Sequence, residues 1–217
     1  MISKQKLIFL GIYMFLYILV SPFVYLLTGD GLHVFLIWNI FLASVPLGIM
    51  CLVHSKWIKK TWIITLLLIF WLLFYPNSLY VITDLIYLDK DLFMSTVGMS
   101  SSITYTKNLI AYVAFFHIFL GAILGILLAV ESIKPVISFV IKKKNQIWAF
   151  GSVVLISILS SFAIYVGRFF RYNTWDFLNL FNILKDFFES FSMFTVVFIV
   201  GFSMIQIVLI TAFVKID

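Results

Sequence analysis

Leu109-Ile110-Ala111-Tyr112-Val113-Ala114-Phe115-Phe116-His117-Ile118-Phe119-Leu120-Gly121-Ala122-Ile123-Leu124-Gly125-Ile126-Leu127-Leu128-Ala129-Val130 contains no charged residue. At 1.5 Å per residue such a run makes a helix of ~33 Å, enough to cross the ~30 Å hydrocarbon core of a bilayer. Four more stretches pass the same test: Leu7–Leu27, Leu32–Val53, Ile147–Val166 and Met193–Val214. A sixth, Thr61–Tyr75, reaches only ~22 Å. It must continue through Pro76-Asn77-Ser78 into Leu79–Ile82, or end inside the protein. Lys4 and Lys6 before the first run resemble the start of a signal peptide. That run is too long for one and no small-x-small cleavage site follows it, so it reads as an uncleaved anchor.

The whole composition agrees with these runs. Of 217 residues, 64% are hydrophobic and only 11% charged, with mean hydropathy +1.16. A soluble domain is about half apolar and about a quarter charged, so this chain lacks the polar surface to cover itself in water. The single Cys51 cannot pair within the chain and says nothing of redox compartment. A pI of about 9.4 would suit a nucleic-acid binder, but the positive charge sits in short lysine clusters between apolar runs, the pattern of membrane topology. No nucleic-acid partner is expected.

Placing the N-terminus inside puts Lys4, Lys6, Lys56, Lys59, Lys60, Lys134, Lys142, Lys143, Lys144 and Lys215 on the cytoplasmic side. Lys90, Lys107, Arg168, Arg171 and Lys185 then face outward. This ten-to-five split favours both termini inside. The expected architecture is an all-α membrane protein, a six-span transmembrane helix bundle forming a single transmembrane domain over residues 1–217. Its spans lie at about 7–27, 32–53, 61–82, 109–130, 147–166 and 193–214, with the third broken near Pro76-Asn77. Between the third and fourth spans, Ser95, Thr96, Ser100, Ser101, Ser102, Thr104 and Thr106 suggest a polar, uncharged loop. After the fifth span, Phe177, Leu178, Phe181, Leu184, Phe187, Phe188 and Phe191 recur at helical spacing, opposite Asn179, Asn182, Asp186 and Glu189. This predicts an outer interfacial amphipathic helix over about 174–191, with Asn173 and Asp176 in an N-cap arrangement.

Polar groups within hydrocarbon are costly and each needs a reason. Pro76-Asn77 frees backbone carbonyls. Asn77 either satisfies these locally or marks a broken end lining a site. Asp84, in Thr83-Asp84-Leu85, lies in an otherwise apolar stretch and reads as an N-cap, a structural ion pair or a ligand-binding carboxylate. Of the fifteen basic residues only two are arginine, and both fall in Gly167–Asp176. Arg168 and Arg171 are therefore candidates for a role that needs a planar, bidentate guanidinium, either with Asp84 and Asp176 or with a phosphate. Asp84 and both arginines are expected to meet at one outer-face site. His33 and His117 fall near outer span ends and read as hydrogen-bonded interface histidines rather than haem ligands. Asn39 reads as an interhelical hydrogen bonder, and Gly121 with Gly125 as a small-xxx-small packing pair. The sequence has no HExxH, CxxC, GxSxG or Walker motif. No metal and no cofactor are expected.

Three motifs recur in order: Trp38-Asn39-Ile40-Phe41-Leu42-Ala43 with Pro46; Pro76-Asn77-Ser78-Leu79-Tyr80 leading to Thr83-Asp84-Leu85; and Gly167-Arg168-Phe169-Phe170-Arg171-Tyr172-Asn173-Thr174-Trp175-Asp176. Together they resemble the bacterial integral membrane family called domain of unknown function 1361, over nearly the whole chain. Ser78-Leu79 stands where that family usually has Ala-Pro, and Tyr87 where a histidine is expected, which weakens any metal site built on Asp84 and that position. The resemblance implies a bacterial cell membrane location and the architecture, but no mechanism. The candidate polar site comprises Asn39, Asn77, Thr83, Asp84, His117, Arg168, Arg171, Asn173, Trp175 and Asp176. The leading reading is an uncharacterised multi-pass protein whose outer polar site binds a lipid headgroup, a lipid-linked substrate or another anion, with catalysis not favoured. Two alternatives stay open: a non-catalytic accessory or assembly protein whose cluster is purely structural, and a small-solute transporter. Missing internal repeats weigh against the last.

Overall fold

The computed structural model describes residues 3–89, 93–97 and 102–214. Six helices in it are long and apolar enough to cross a membrane. They are α1 (Lys4–Thr28), α2 (Leu32–Val53), α3 (Thr61–Tyr80), α4 (Leu109–Lys143), α5 (Gln146–Phe169) and α7 (Met193–Phe213), with the short α6 (Leu180–Glu189) before the last. Side-chain caps start α1 at Ser3, α4 at Asn108 and α5 at Asn145, each accepting from a backbone N–H of the first turn. They satisfy donors that a helix start leaves open.

The third span does change its character, but not where Pro76-Asn77 suggested. The α-helical path runs through Pro76 to Tyr80, then tightens into a 3-10 segment over Val81–Tyr87. Pro22, Pro46 and Pro135 likewise lie inside helices. Within a membrane a helix tolerates proline where neighbouring helices and local backbone adjustment surround it. In the turns next to these prolines, Asn77 donates to Phe74 O at 3.1 Å, and Ser78 Oγ donates across helices to Ala43 O at 2.6 Å.

Two other expectations need correction. The polar loop folds in part into a hairpin, β1 (Met94–Val97) against β2 (Ser102–Tyr105), in register Met94↔Tyr105 and Val97↔Ser102. Ser100 and Ser101 of that stretch lie outside the described residues, as do Lys90, Asp91 and Lys215. Second, α4 does not end at Val130 but continues to Lys143. Glu131 and Lys134 look like a boundary in the sequence. In the fold Glu131 is buried and paired with Lys6 of α1 at 3.0 Å and with Lys134, so its charge is neutralised and the helix carries on.

Helix α4 contributes to both main core clusters. One gathers Met50, Trp71, Tyr75, Ile133, Ile137, Val153 and Phe202; the other gathers Tyr17, Leu36, Ile40, Leu124 and Leu128. Glycines allow the approach. A Cβ on Gly125 would lie 2.5 Å from Ser78 O, and one on Gly121 would lie 2.6 Å from Tyr17 Oη. Between α5 and α7 a polar patch is set within apolar packing: Gln206 Nε2 and Ser203 Oγ both donate to Ser161 Oγ, at 2.8 and 3.0 Å.

Candidate functional site

Where α3 gives way to the 3-10 segment, Tyr80, Thr83, Asp84 and Tyr87 follow at spacings of three and four. That spacing presents them together to the end of α5. Asp84 is 1% exposed. Its Oδ2 accepts from Asn39 Nδ2 of α2 at 3.0 Å and its Oδ1 from Arg168 Nη1 of α5 at 3.2 Å. Arg168 Nη2 donates to Thr83 O at 2.7 Å, and Nη1 also reaches Tyr80 Oη at 3.3 Å. The guanidinium sits over the Tyr87 ring at 4.8 Å and the Tyr80 ring at 5.4 Å, close enough for cation–π attraction. Three helices thus converge on one neutralised charge pair. A single-atom contact with the carboxylate, rather than a bidentate one, leaves the second nitrogen for the Thr83 carbonyl.

The remaining candidates divide into separate groups. Arg171 does not join Asp84. It is exposed, makes no hydrogen bond or ion pair among the described residues, and has φ 64°. Helix α5 ends at Phe169 with Phe170 as its cap. Arg171 therefore holds the left-handed position just beyond, which glycine fills most easily. Asp176 is also not a partner of Arg168. Its Oδ2 accepts from the Asn173 N–H at 2.6 Å while its own N–H donates to Asn173 O at 3.0 Å. This closes the start of the next segment. Asn77 Nδ2 bridges to Thr174 Oγ1 at 2.9 Å, tying α3 to the same turn. Trp175 is half exposed beside it. The expected amphipathic helix begins as a 3-10 segment, Thr174–Asn179, and becomes α-helical only over Leu180–Glu189. Ile183 is its buried anchor against Tyr165 and Val166. Nearby, Tyr172 Oη donates to Asp186 Oδ2 at 2.7 Å, and that bond holds its phenol above the usual range.

His117 belongs to another cluster, formed by three spans. Ser21 Oγ of α1 donates to Tyr17 O at 2.7 Å and meets His117 Nε2 at 2.9 Å, and His117 Nδ1 meets His33 Nδ1 at 3.1 Å. With the Ser21 proton on Tyr17 O, the network assigns Nε2–H to His117 and Nδ1–H to His33. The Tyr17 ring stacks on His117 at 4.5 Å. Sequence reasoning had no way to place His33 and His117 face to face. It also missed Ser21, Tyr17 and Tyr80. The signal for Tyr80 was present, in the spacing Tyr80, Asp84, Tyr87. No group of three or more His, Cys, Asp or Glu side chains converges among the described residues.

A bundle of membrane-length helices closed by a buried carboxylate–guanidinium pair defines a multi-pass α-helical membrane protein. The family model described as "Protein of unknown function (DUF1361)" matches residues 38–209, which takes in Asn39, Asp84 and Arg168, and the chain belongs to that family. Neither the curated proteins nor the solved structures give a match.

Proposed function

We propose that this is a bacterial cell-membrane protein, one transmembrane domain over residues 1–217 with both termini cytoplasmic, whose Asp84 end faces outward and binds the phosphate of a lipid headgroup through Arg171. The observation that carries this reading is the division of labour between the two arginines. Arg168 is consumed internally by Asp84, Thr83 and two tyrosine rings. Arg171 keeps an exposed guanidinium in a left-handed turn, a backbone state that costs roughly 1–2 kcal/mol for a residue with a Cβ. A strained position occupied by a long cationic side chain points to a use for that side chain. The guanidinium suits phosphate, and Trp175 with the apolar face of α6 supports a position at the depth of a headgroup. The Asp84–Arg168 pair and the Asn77–Thr174 bond then act as the brace that fixes the turn. Catalysis is not part of this proposal.

Ligand binding raises unfolding temperature by mass action. The test is a thermal scan of the purified protein in detergent, titrated with short-chain phosphatidylglycerol, phosphatidylcholine or inorganic phosphate. Phosphatidylglycerol should stabilise the wild type, and Arg171→Gln should lose a distinct part of that shift without lowering the ligand-free transition. An equal shift in Arg171→Gln would remove the basis of the reading. An Arg171-dependent shift with inorganic phosphate alone would reassign the site to a free anion.

A further inference from the structure

The end of the bundle opposite Asp84 carries an unneutralised basic surface. Lys56, Lys59 and Lys60 lie between α2 and α3; Lys142, Lys143 and Lys144 lie at the end of α4. All six are exposed, and none forms an ion pair among the described residues. The close approach of Gly125 to Ser78 sets their relative height. Ser78 back to Thr61 and Gly125 on to Lys142 are equal lengths of antiparallel helix, each ~25 Å at 1.5 Å per residue. The two lysine groups therefore reach the same level.

Acidic residues do little to offset them. Among the described acidic residues, only Glu131 falls toward this end. Glu131 is already held by Lys6 and Lys134. Among the lysines stand the most exposed indoles of the molecule: Trp57 at 93%, Trp62 at 64% and Trp148 at 63%, with Ile147 at 81%. Trp57 lies directly after Lys56, and Trp62 two residues after Lys60. Indoles sit at the headgroup level of a bilayer, ring partly in hydrocarbon and N–H in the polar layer. Lysine at the same depth is attracted to anionic headgroups. A soluble acidic partner would match the charge but give no reason for the apolar collar beside it.

We infer that this lysine–tryptophan surface is an anionic-phospholipid docking site, which recruits negatively charged headgroups around the ends of α3, α4 and α5. It involves neither Arg171 nor the pair at Asp84, so it stands or falls separately from the function proposed above.

The test uses the full chain in phosphatidylcholine vesicles containing either phosphatidylglycerol or phosphatidylcholine brominated near the headgroup. Bromine quenches tryptophan on contact. The background variant carries Trp38→Phe and Trp175→Phe, which leaves buried Trp71, at 3% exposure, and the three indoles of this surface. At low salt the brominated anionic lipid should quench about twofold more than its zwitterionic counterpart at equal mole fraction, and the preference should shrink at ~0.5 M salt as the charges are screened. Replacing all six lysines with Gln should abolish the preference. Because that variant can fail to insert, the salt dependence of the background protein is the second readout. Equal quenching by both lipids would overturn the inference, and so would a preference that persists in the six-Gln variant or is indifferent to salt. Binding of polyglutamate without any lipid preference would give the surface to a soluble acidic partner instead.

Discussion

Removing one member of the Asp84–Arg168 pair should cost differently depending on which member goes. Arg168→Ala leaves a carboxylate that is 1% exposed with only the Asn39 amide, at 3.0 Å. Asp84→Ala leaves a guanidinium that still has Thr83 O at 2.7 Å, Tyr80 Oη at 3.3 Å and two ring faces. Breaking a buried pair costs about 3–5 kcal/mol. Arg168→Ala should lie near the top of that range and Asp84→Ala near or below its bottom. The double variant buries neither charge, so its cost should fall short of the sum by ~1–3 kcal/mol, as for residues in direct contact. The measurement is reversible unfolding in mixed micelles of rising SDS fraction, followed by tryptophan fluorescence, for the two single variants and the double. Additivity within ~0.5 kcal/mol would mean the two groups do not interact. A larger loss for Asp84→Ala than for Arg168→Ala would refute the reasoning from residual partners.

Gly125→Ala should destabilise by ~1–3 kcal/mol in the same assay, because its Cβ meets backbone at Ser78 O; Gly121→Ala, which meets the tip of the Tyr17 side chain, should cost less, and the reverse order would count against the packing described. Arg171→Gly should raise stability by up to ~1 kcal/mol through relief of the left-handed backbone, and a loss on that substitution would show that the side chain is needed for folding. With Cys51 changed to Ser, cysteines at Lys107 and Asn145, both exposed, should react with a membrane-impermeant maleimide from opposite sides, Lys107→Cys from outside. Labelling from one side only would exclude the proposed topology.

Runs such as Leu109–Val130 are legible because a bilayer imposes length and apolarity on any helix that crosses it. Asp84 is legible for the complementary reason, since a charge in an apolar stretch requires a partner, and Arg168 because only two of the fifteen basic residues are arginine. Less legible was anything set by which faces meet. The end of α4 was misread because Glu131 gives no sign in sequence that Lys6, on another helix, neutralises it. Arg168 and Arg171 have the same chemistry and nearly the same position. Only the path of the chain past Phe170 decides that one turns inward and the other out. For the same reason the histidines remained isolated signals, because no local pattern reveals that α1, α2 and α4 bring Ser21, His33 and His117 together.

The Asp84–Arg168 contact joins residues 84 positions apart, and this has a consequence for biogenesis. A ribosome adding about 5–20 residues per second leaves Asp84 without its counter-ion for roughly 4–17 s after it is made. During that interval the third span carries an unpaired carboxylate, which hydrocarbon resists. The pair can close only once α5 has been made, so this contact joins the end of the third span to the fifth late in synthesis.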